Sequence, residues 1–229
     1  MHIPDGYLGP TTCGFFYAVM LPIWGVASKI VKRTLKAKQV PMLAIGAAFS
    51  FVIMMFNVPI PGGTTGHAVG GTLVAILLGP WAACIAITVA LVIQALLFGD
   101  GGITAIGANC FNMAFVLPFV SWYIYKTISW GSKVTAGRRI IAAGIAAYVG
   151  LNAAALLTAV EFGLQPLLHH TSSGEALYCP YGFNAAIPVM LGEHLLVFGW
   201  VEMIVTAFAV KYLQKQDPSL LGAIEEQKL

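Results

Sequence analysis

Charged residues divide the sequence into long uncharged runs that are rich in apolar residues. The runs without Asp, Glu, Lys or Arg lie at 6–28, 39–99, 101–125 and 140–160. About 20 apolar residues in a helix cross the hydrocarbon core of a bilayer, which is roughly 30 Å thick. The pattern therefore predicts a chain that crosses a membrane several times as helices.

We predict about seven membrane-spanning helices from these runs. They lie at 11–28, 40–57, 67–79, 81–98, 103–125, 140–165 and 185–210. The third is short, since about 13 residues give roughly 20 Å of helix, and the Gly79-Pro80 pair should end or kink it. A shallow re-entrant hairpin over residues 67–98 is an open alternative.

Composition agrees with this prediction. Hydrophobic residues make up 59% of the chain and charged residues 9%, whereas a soluble domain carries roughly 25% charged residues. A water-exposed globular fold is thereby excluded, and we predict an all-α, multi-pass membrane protein. Residues 1–213 should form one membrane-embedded domain, with 1–10 as an external segment and 214–229 as a charged cytoplasmic tail.

The basic residues predict the orientation of the chain. All 12 Lys and Arg residues lie at 29–39, at 126–139 or after residue 210. Seven spans with an external N-terminus place all three segments in the cytoplasm, as the positive-inside rule requires. We therefore predict the N-terminus outside and the C-terminus inside. The basic residues responsible for the net charge of +3 orient the chain in the membrane and do not indicate a nucleic-acid partner.

The predicted outer face carries the best candidate ligands. The external segments are 1–10, 58–66, 99–102 and 166–184, and they or the adjoining helix ends carry Met1, His2, Asp5, His67 and Asp100. Three of these segments are rich in Gly and Pro: IPDGYLGP, NVPIPGGTTG and GDGG. Such loops pack closely and adopt unusual backbone geometry. We therefore expect a ligand to be captured on this face.

The first two residues can chelate a metal ion by themselves. Residues 1–28 contain no Lys or Arg, unlike a signal peptide, and the large His2 should leave Met1 uncleaved. The Met1 amine, the His2 amide nitrogen and His2 Nδ1 can then close fused five- and six-membered rings on one ion. A deprotonated amide favours planar Ni²⁺ or Cu²⁺ over Zn²⁺, which has no d-electron preference.

His67 is the natural fourth donor, because it lies beside an external Gly-rich loop. Both histidines also have a structural interpretation: His2 as an ordinary interfacial residue, and His67 as a helix cap or loop hydrogen-bond partner. Asp5, Asn109 and Asn112 are candidates for holding the ligands in place. Polar caps or hydrogen bonds between helices explain these three residues equally well.

The other ionisable residues are weaker candidates. His169 and His170 lack a third donor nearby and fit a solvated loop. The Glu193–His194 pair lies within the last span, where ionisable residues are functional candidates, but a hydrogen-bonded pair between helices is the simpler interpretation. Glu202 is nine residues after Glu193 and faces the other side of the helix, so the two carboxylates should not form one site.

Motifs for chemistry on the chain itself are absent from the sequence. It contains no G-x-x-x-x-G-K-[ST] loop and no H-E-x-x-H motif. The four cysteines have no C-x-x-C spacing and are expected to be small apolar fillers. We therefore predict that the chain is not an enzyme and holds no cofactor.

Three segments of the sequence resemble one family. These are MHIPDGYLGP at the start, GHAVGGTLVAILLGPW at 66–81 and FGDGGITAIGANCFNMAF at 98–115. They are similar to the CbiM/NikM proteins, the substrate-binding membrane subunits (S components) of energy-coupling factor transporters for cobalt or nickel. The resemblance implies that the N-terminal amine, the residue-2 histidine and a later histidine hold the metal, which are Met1, His2 and His67 here.

The resemblance also implies a place in a prokaryotic cell (inner) membrane. The implied partners are a transmembrane coupling protein, a pair of cytoplasmic ATPases and often a small accessory membrane protein. The expected function is high-affinity capture of external Ni²⁺ or Co²⁺, which is the transported substrate. Two alternatives remain open from the sequence. One is a stand-alone metal-ion channel or permease, and the other is an intramembrane enzyme that uses Glu193 and His194.

Overall fold

The structure is a computed structural model that describes residues 1–60 and 64–222. Parts of two predicted segments, residues 61–63 of the Gly/Pro-rich loop and 223–229 of the charged tail, lie outside the described residues. Within the described residues the chain is almost entirely helical, with one short hairpin of strands β1 (Val58–Ile60) and β2 (Thr64–Gly66). The prediction of an all-α protein is therefore confirmed.

The helices follow the predicted runs closely. They are α1 (Pro10–Thr34), α2 (Val40–Met55), α3 (Gly71–Leu78), α4 (Pro80–Ile93), α5 (Ile106–Asn109), α6 (Leu117–Ser129), α7 (Gly137–Leu168), α8 (Phe183–Glu193), α9 (Gly199–Gln216) and α10 (Ser219–Gly222). Proline occupies the first turn of α1, α2 and α4, where its missing N–H costs no hydrogen bond. These prolines therefore mark the starts of α1, α2 and α4 in the sequence itself.

Three π-helical turns extend or connect these helices. They are Gln94–Phe98 after α4, Cys110–Val116 between α5 and α6, and His194–Phe198 between α8 and α9. A π-turn inserts an extra residue into a helix and often marks a functional site. Here each turn begins at or beside a polar residue that is buried in the bundle.

Five helical stretches are long and apolar enough to cross a membrane. They are Pro10–Thr34, Ala37–Met55, Pro80–Phe98, Gly137–Leu168 and Phe183–Gln216. The chain is therefore a multi-pass membrane protein. The total of seven spans and the orientation of the termini remain predictions.

The predicted third span is a short buried helix. Helix α3 begins at Gly71, four residues later than predicted, because Gly70 before it adopts a left-handed conformation with φ of +73°. It ends at Gly79, where a φ of +86° turns the chain directly into α4. Its eight residues give roughly 12 Å of helix, and most of them are buried among the neighbouring helices.

The N-terminal segment, residues 1–9, begins inside the bundle and reaches the surface at Asp5 and Gly6. Met1 and Ile3 are fully buried and His2 is 3% exposed. The segment enters beside the loop after α7, where the Cys179 N–H donates to the Tyr7 carbonyl at 3.1 Å. This arrangement brings the start of the chain next to helices that are distant in sequence.

Candidate metal centre

Asn109 holds the N-terminal segment by its backbone. The Ile3 N–H donates to Asn109 Oδ1 at 2.9 Å, and Asn109 Nδ2 donates to the Ile3 carbonyl at 3.1 Å. The Gly102 N–H donates to the same carbonyl at 2.8 Å. Ile3 is therefore paired on both sides of its peptide, which fixes the position of the two residues before it.

Asp5 anchors the same segment to the loop that precedes α5. Its carboxylate accepts from the main-chain N–H groups of Ile103, at 3.1 Å, and Thr104, at 2.8 Å. Burial alone would raise the pKa of Asp5, but the hydrogen bonds from Thr104 and Ile103 outweigh it and hold the pKa below its ordinary value. A Cβ on Gly102 would overlap the backbone of Asp5, so the two segments touch directly.

His2 lies between an amide and a carboxylate. His2 Nε2 is 3.2 Å from Gln94 Oε1, and His2 Nδ1 is 3.3 Å from Asp100 Oδ1. An amide oxygen only accepts, so Nε2 carries the proton and the Nδ1 lone pair faces Asp100. Two electron-rich atoms at this distance repel each other unless a cation lies between or beside them. His2 Nδ1 is thus prepared to bind a positive ion.

His67 presents a second imidazole lone pair beside the first. The two rings stack with their centroids 4.4 Å apart and an interplanar angle of 27°. His67 Nδ1 donates to the Ala68 carbonyl at 3.1 Å, which leaves the lone pair on Nε2. That nitrogen is buried and has no hydrogen-bond partner in the structure. The arrangement supplies an imidazole nitrogen ready to coordinate a metal ion.

Glu202 positions the backbone after His67. Its carboxylate accepts from the main-chain N–H groups of Val69, at 2.7 Å, and Gly70, at 2.9 Å. These groups precede the N-terminus of α3, where a negative charge is favourable. The sequence predicts that Glu202 and Glu193 face different sides of their helix. It does not indicate the contact between Glu202 and the main chain after His67, because that contact depends on α9 packing against α3.

Burial favours the neutral form of the nitrogen donors. Burial lowers the pKa of the Met1 amine to about 5, and the smaller effects of Glu193 and Asp100 oppose the shift. Burial, followed by the nearby amine, lowers the pKa of His2 to about 3. The same causes lower the pKa of His67 well below its ordinary value. Neutral amine and imidazole nitrogens are the forms that bind metal ions.

Of the remaining candidates, the structure places Asn112 and the external histidines elsewhere. Asn112 Nδ2 donates to Thr158 Oγ1 at 3.1 Å and to Glu161 Oε2 at 2.9 Å, so it joins helices and does not contact the N-terminal segment. His169 is 3.0 Å from the Thr11 hydroxyl. No three His, Cys, Asp or Glu side chains within residues 1–60 and 64–222 converge as metal ligands. A site at Met1 and His2 therefore depends on main-chain nitrogens.

Comparison with known proteins identifies the family. A family profile described as the cobalt uptake substrate-specific transmembrane region, CbiM, matches residues 2–220. The chain belongs to the CbiM family. The resemblance seen in the three sequence segments is therefore confirmed over almost the whole chain.

Named relatives of this CbiM-family chain are transport proteins. It is 55% identical over 222 residues to a fused nickel transport protein, NikMN, of Rhodobacter capsulatus, and the match covers 97% of the chain but 64% of that protein. It is 52% identical over 228 residues to a protein of Methanocaldococcus jannaschii that is named as a putative metal transport protein, with coverage of 99% and 97%. The chain thus spans less than two thirds of the fused protein's length and nearly all of the second.

Solved structures share the fold. The crystal structure of a transition metal transporter superposes with a TM-score of 0.90 at 54% identity and covers 100% of both chains. A truncated transition metal transporter gives a TM-score of 0.89 at 56% identity, with coverage of 94% of this chain and 99% of that one. This CbiM-family chain therefore has the architecture of known membrane transporters for metals.

Proposed function

We propose that the chain captures Ni²⁺ or Co²⁺ from outside the cell as the substrate-specific subunit of an ATP-driven energy-coupling factor transporter. The ligands are the Met1 amine, the His2 amide nitrogen, His2 Nδ1 and His67 Nε2. The metal is the transported substrate, so it must bind tightly and later leave. The family description names cobalt uptake and the Rhodobacter relative is named for nickel, so both ions are candidate substrates.

One observation carries the proposal: the start of the chain is buried, and the stacked rings of His2 and His67 each have a buried nitrogen that lacks a hydrogen-bond partner. Met1 is fully buried and the His2 and His67 rings stack. Within residues 1–60 and 64–222, His2 Nδ1 and His67 Nε2 have no hydrogen-bond partner. Unpaired polar atoms in a protein interior are rare and costly. A metal ion would satisfy both nitrogens at once.

The charge of the site suits a divalent ion. A bound M²⁺ that displaces the His2 amide proton leaves one net positive charge on the complex. The Asp100 carboxylate, 3.3 Å from His2 Nδ1, would neutralise that charge. Asn57 Nδ2 donates to Asp100 at 3.1 Å and orients the carboxylate. A monovalent ion would leave this buried centre with an uncompensated negative charge, which is unfavourable in a low dielectric.

Energy for transport must come from other subunits. The sequence has no ATP-binding loop of the G-x-x-x-x-G-K-[ST] type. The proposed partners are a transmembrane coupling protein, a pair of cytoplasmic ATPases and, in systems that have one, a small accessory membrane protein. The N-terminus outside and the C-terminus inside, with about seven spans, would place the metal ligands on the side from which the ion arrives.

Proteoliposomes test the coupling. Vesicles that hold this chain alone should bind radiolabelled Ni²⁺ or Co²⁺ but accumulate none in the lumen. Vesicles that also hold the coupling protein and the ATPase pair should accumulate the ion only with ATP. Flux through the chain alone, driven by the ion gradient, would contradict the proposal and favour a stand-alone channel or permease.

A further inference from the structure

A third histidine inside the bundle is poised like a metal ligand. His194 is fully buried, and its Nδ1 is 2.7 Å from the Met190 carbonyl and 3.0 Å from Glu193 Oε1. Both neighbours accept, so Nδ1 carries the proton and Nε2 holds the lone pair. His194 Nε2 has no hydrogen-bond partner in the structure. A ring nitrogen left unpaired on an ionisable side chain inside a membrane protein points to a function.

His194 shares its arrangement with His67. In both rings Nδ1 donates to a main-chain carbonyl and Nε2 is buried and unpaired. Histidines that bind metals nearly always donate their other ring N–H to a carbonyl or a carboxylate, which fixes the tautomer. His194 has the carbonyl partner, and the Glu193 carboxylate lies 3.0 Å from the same ring nitrogen. Its free nitrogen suits the imidazole-binding ions Ni²⁺ and Co²⁺.

The position of His194 relates it directly to His67. His194, Phe198 and Glu202 are spaced by four residues and lie on one face of the helix. On that face Phe198 packs so closely on Gly66 that no Cβ would fit there, and Glu202 binds the main chain just after His67. The His194 ring packs on Phe198 with centroids 5.7 Å apart. His194 therefore lies one turn from the residues that flank His67.

His194 lies closer than Phe198 to the end of the bundle where the N-terminal segment enters. The chain reaches α8 from the loop that bonds Tyr7 through Cys179, so His194 is nearer this end than Phe198. A cavity of about 230 Å³ occupies the same region, and Thr64, Tyr181 and Met190 are among its lining residues. Thr64 bonds the His2 carbonyl at 3.1 Å, and Met190 bonds His194. The cavity thus extends from the half-exposed Tyr181 to Thr64, which bonds the His2 carbonyl, and to Met190, which bonds His194.

His194 is separate from the four-nitrogen centre. Among the described residues, no three side chains of the metal-binding types converge, so His194 does not complete one set with His2 and His67. A position beside the centre, but outside it, suits an ion that is arriving or leaving.

We propose that His194, supported by Glu193, is a transfer site: the divalent ion binds His194 Nε2 on its way between solution and the Met1–His2–His67 centre. This inference rests on the proposed function. A transfer site lowers the barrier in both directions and leaves the end states unchanged. Its loss must therefore slow binding and release by the same factor, with no change in affinity.

The test is the variant His194→Gln, whose amide can still donate to the Met190 carbonyl but offers no imidazole nitrogen. Loading and loss of radiolabelled Ni²⁺ on the purified full chain should both slow by at least about tenfold. The equilibrium affinity and the absorption spectrum of the bound ion should match the wild type. The variant His169→Gln, in a histidine outside the bundle core, should leave both rates unchanged.

Two results would overturn the inference. Unchanged rates in His194→Gln would show that the ion does not use this nitrogen, and a changed affinity with an altered spectrum would make His194 a ligand of the bound ion. If His194→Gln unfolds, Glu193→Gln replaces it, because the Glu193 side chain is 14% exposed and tolerates substitution more readily. The rates of loading and loss should then both fall by about threefold. Unchanged rates in Glu193→Gln would again reject the inference. Tight binding retained in His67→Ala would instead reject the proposed centre, so the two failures are distinguishable.

Discussion

Adding one residue before Met1 is expected to lower the affinity for Ni²⁺ or Co²⁺ by at least about a thousandfold, or roughly 4 kcal/mol. The extension converts the terminal amine into an amide, which binds a metal ion only after it loses its proton. It also forces an additional residue into a position where Met1 is already fully buried. Titration calorimetry on the purified chain measures the effect.

A cleavable extension supplies the control for this experiment. Protease treatment that restores Met1 as the first residue should restore tight binding, whereas a tag placed after Leu229 should have no effect. If the extended chain bound the ion as tightly as the native chain and with the same absorption spectrum, the free Met1 amine could not be a ligand.

Replacing His67 with alanine is expected to lower the affinity by at least about a hundredfold. The change removes the only donor from outside the first two residues and leaves the His2 ring without its stacking partner, 4.4 Å away. ATP-driven uptake by the complete transporter should fall in parallel at low metal concentration. Binding titrations and a vesicle uptake assay measure the two effects.

His169→Ala is the matched control for His67→Ala. His169 contacts Thr11 near the predicted outer face but lies outside the proposed centre, so its loss should change the affinity by less than about twofold. Thermal unfolding of both variants checks that the fold is kept. An unchanged affinity in a folded His67→Ala protein would remove His67 from the site.

Uncharged runs predicted the helices well because membrane insertion imposes a simple rule on every span. Helices α1, α2, α4 and α7 each overlap a predicted span. The rule fails where protein, not lipid, surrounds the chain. Helix α3 is short and buried, and its start depends on Gly70 and on the carboxylate of Glu202. Such tertiary contacts leave no local pattern in the sequence.

The candidate centre could be predicted in part. Chelate chemistry and the family resemblance selected Met1, His2 and His67, and the structure brings the two histidine rings together. Asn109 and Asp5, selected by position and residue type, do hold the N-terminal segment. Asn112 is selected on the same grounds but binds Thr158 and Glu161 of α7, a pairing between helices that the sequence alone does not reveal.

Two side chains that contact His2 received no role from the sequence. Gln94 is the only amide in the apolar run 81–98, which was a usable signal, since a lone amide in a span needs a partner. Asp100 was noted only as a residue of the outer face. Asp100 follows the π-turn after α4, and its 3.3 Å approach to His2 is a tertiary contact that no local pattern predicts.

X-ray absorption spectroscopy of the Ni²⁺-loaded chain tests the central claim most directly. The account predicts four nitrogen donors in one plane, two of them imidazoles and one a deprotonated main-chain amide. Six-coordinate nickel surrounded mainly by oxygen, or a sulfur ligand from any residue, would contradict it.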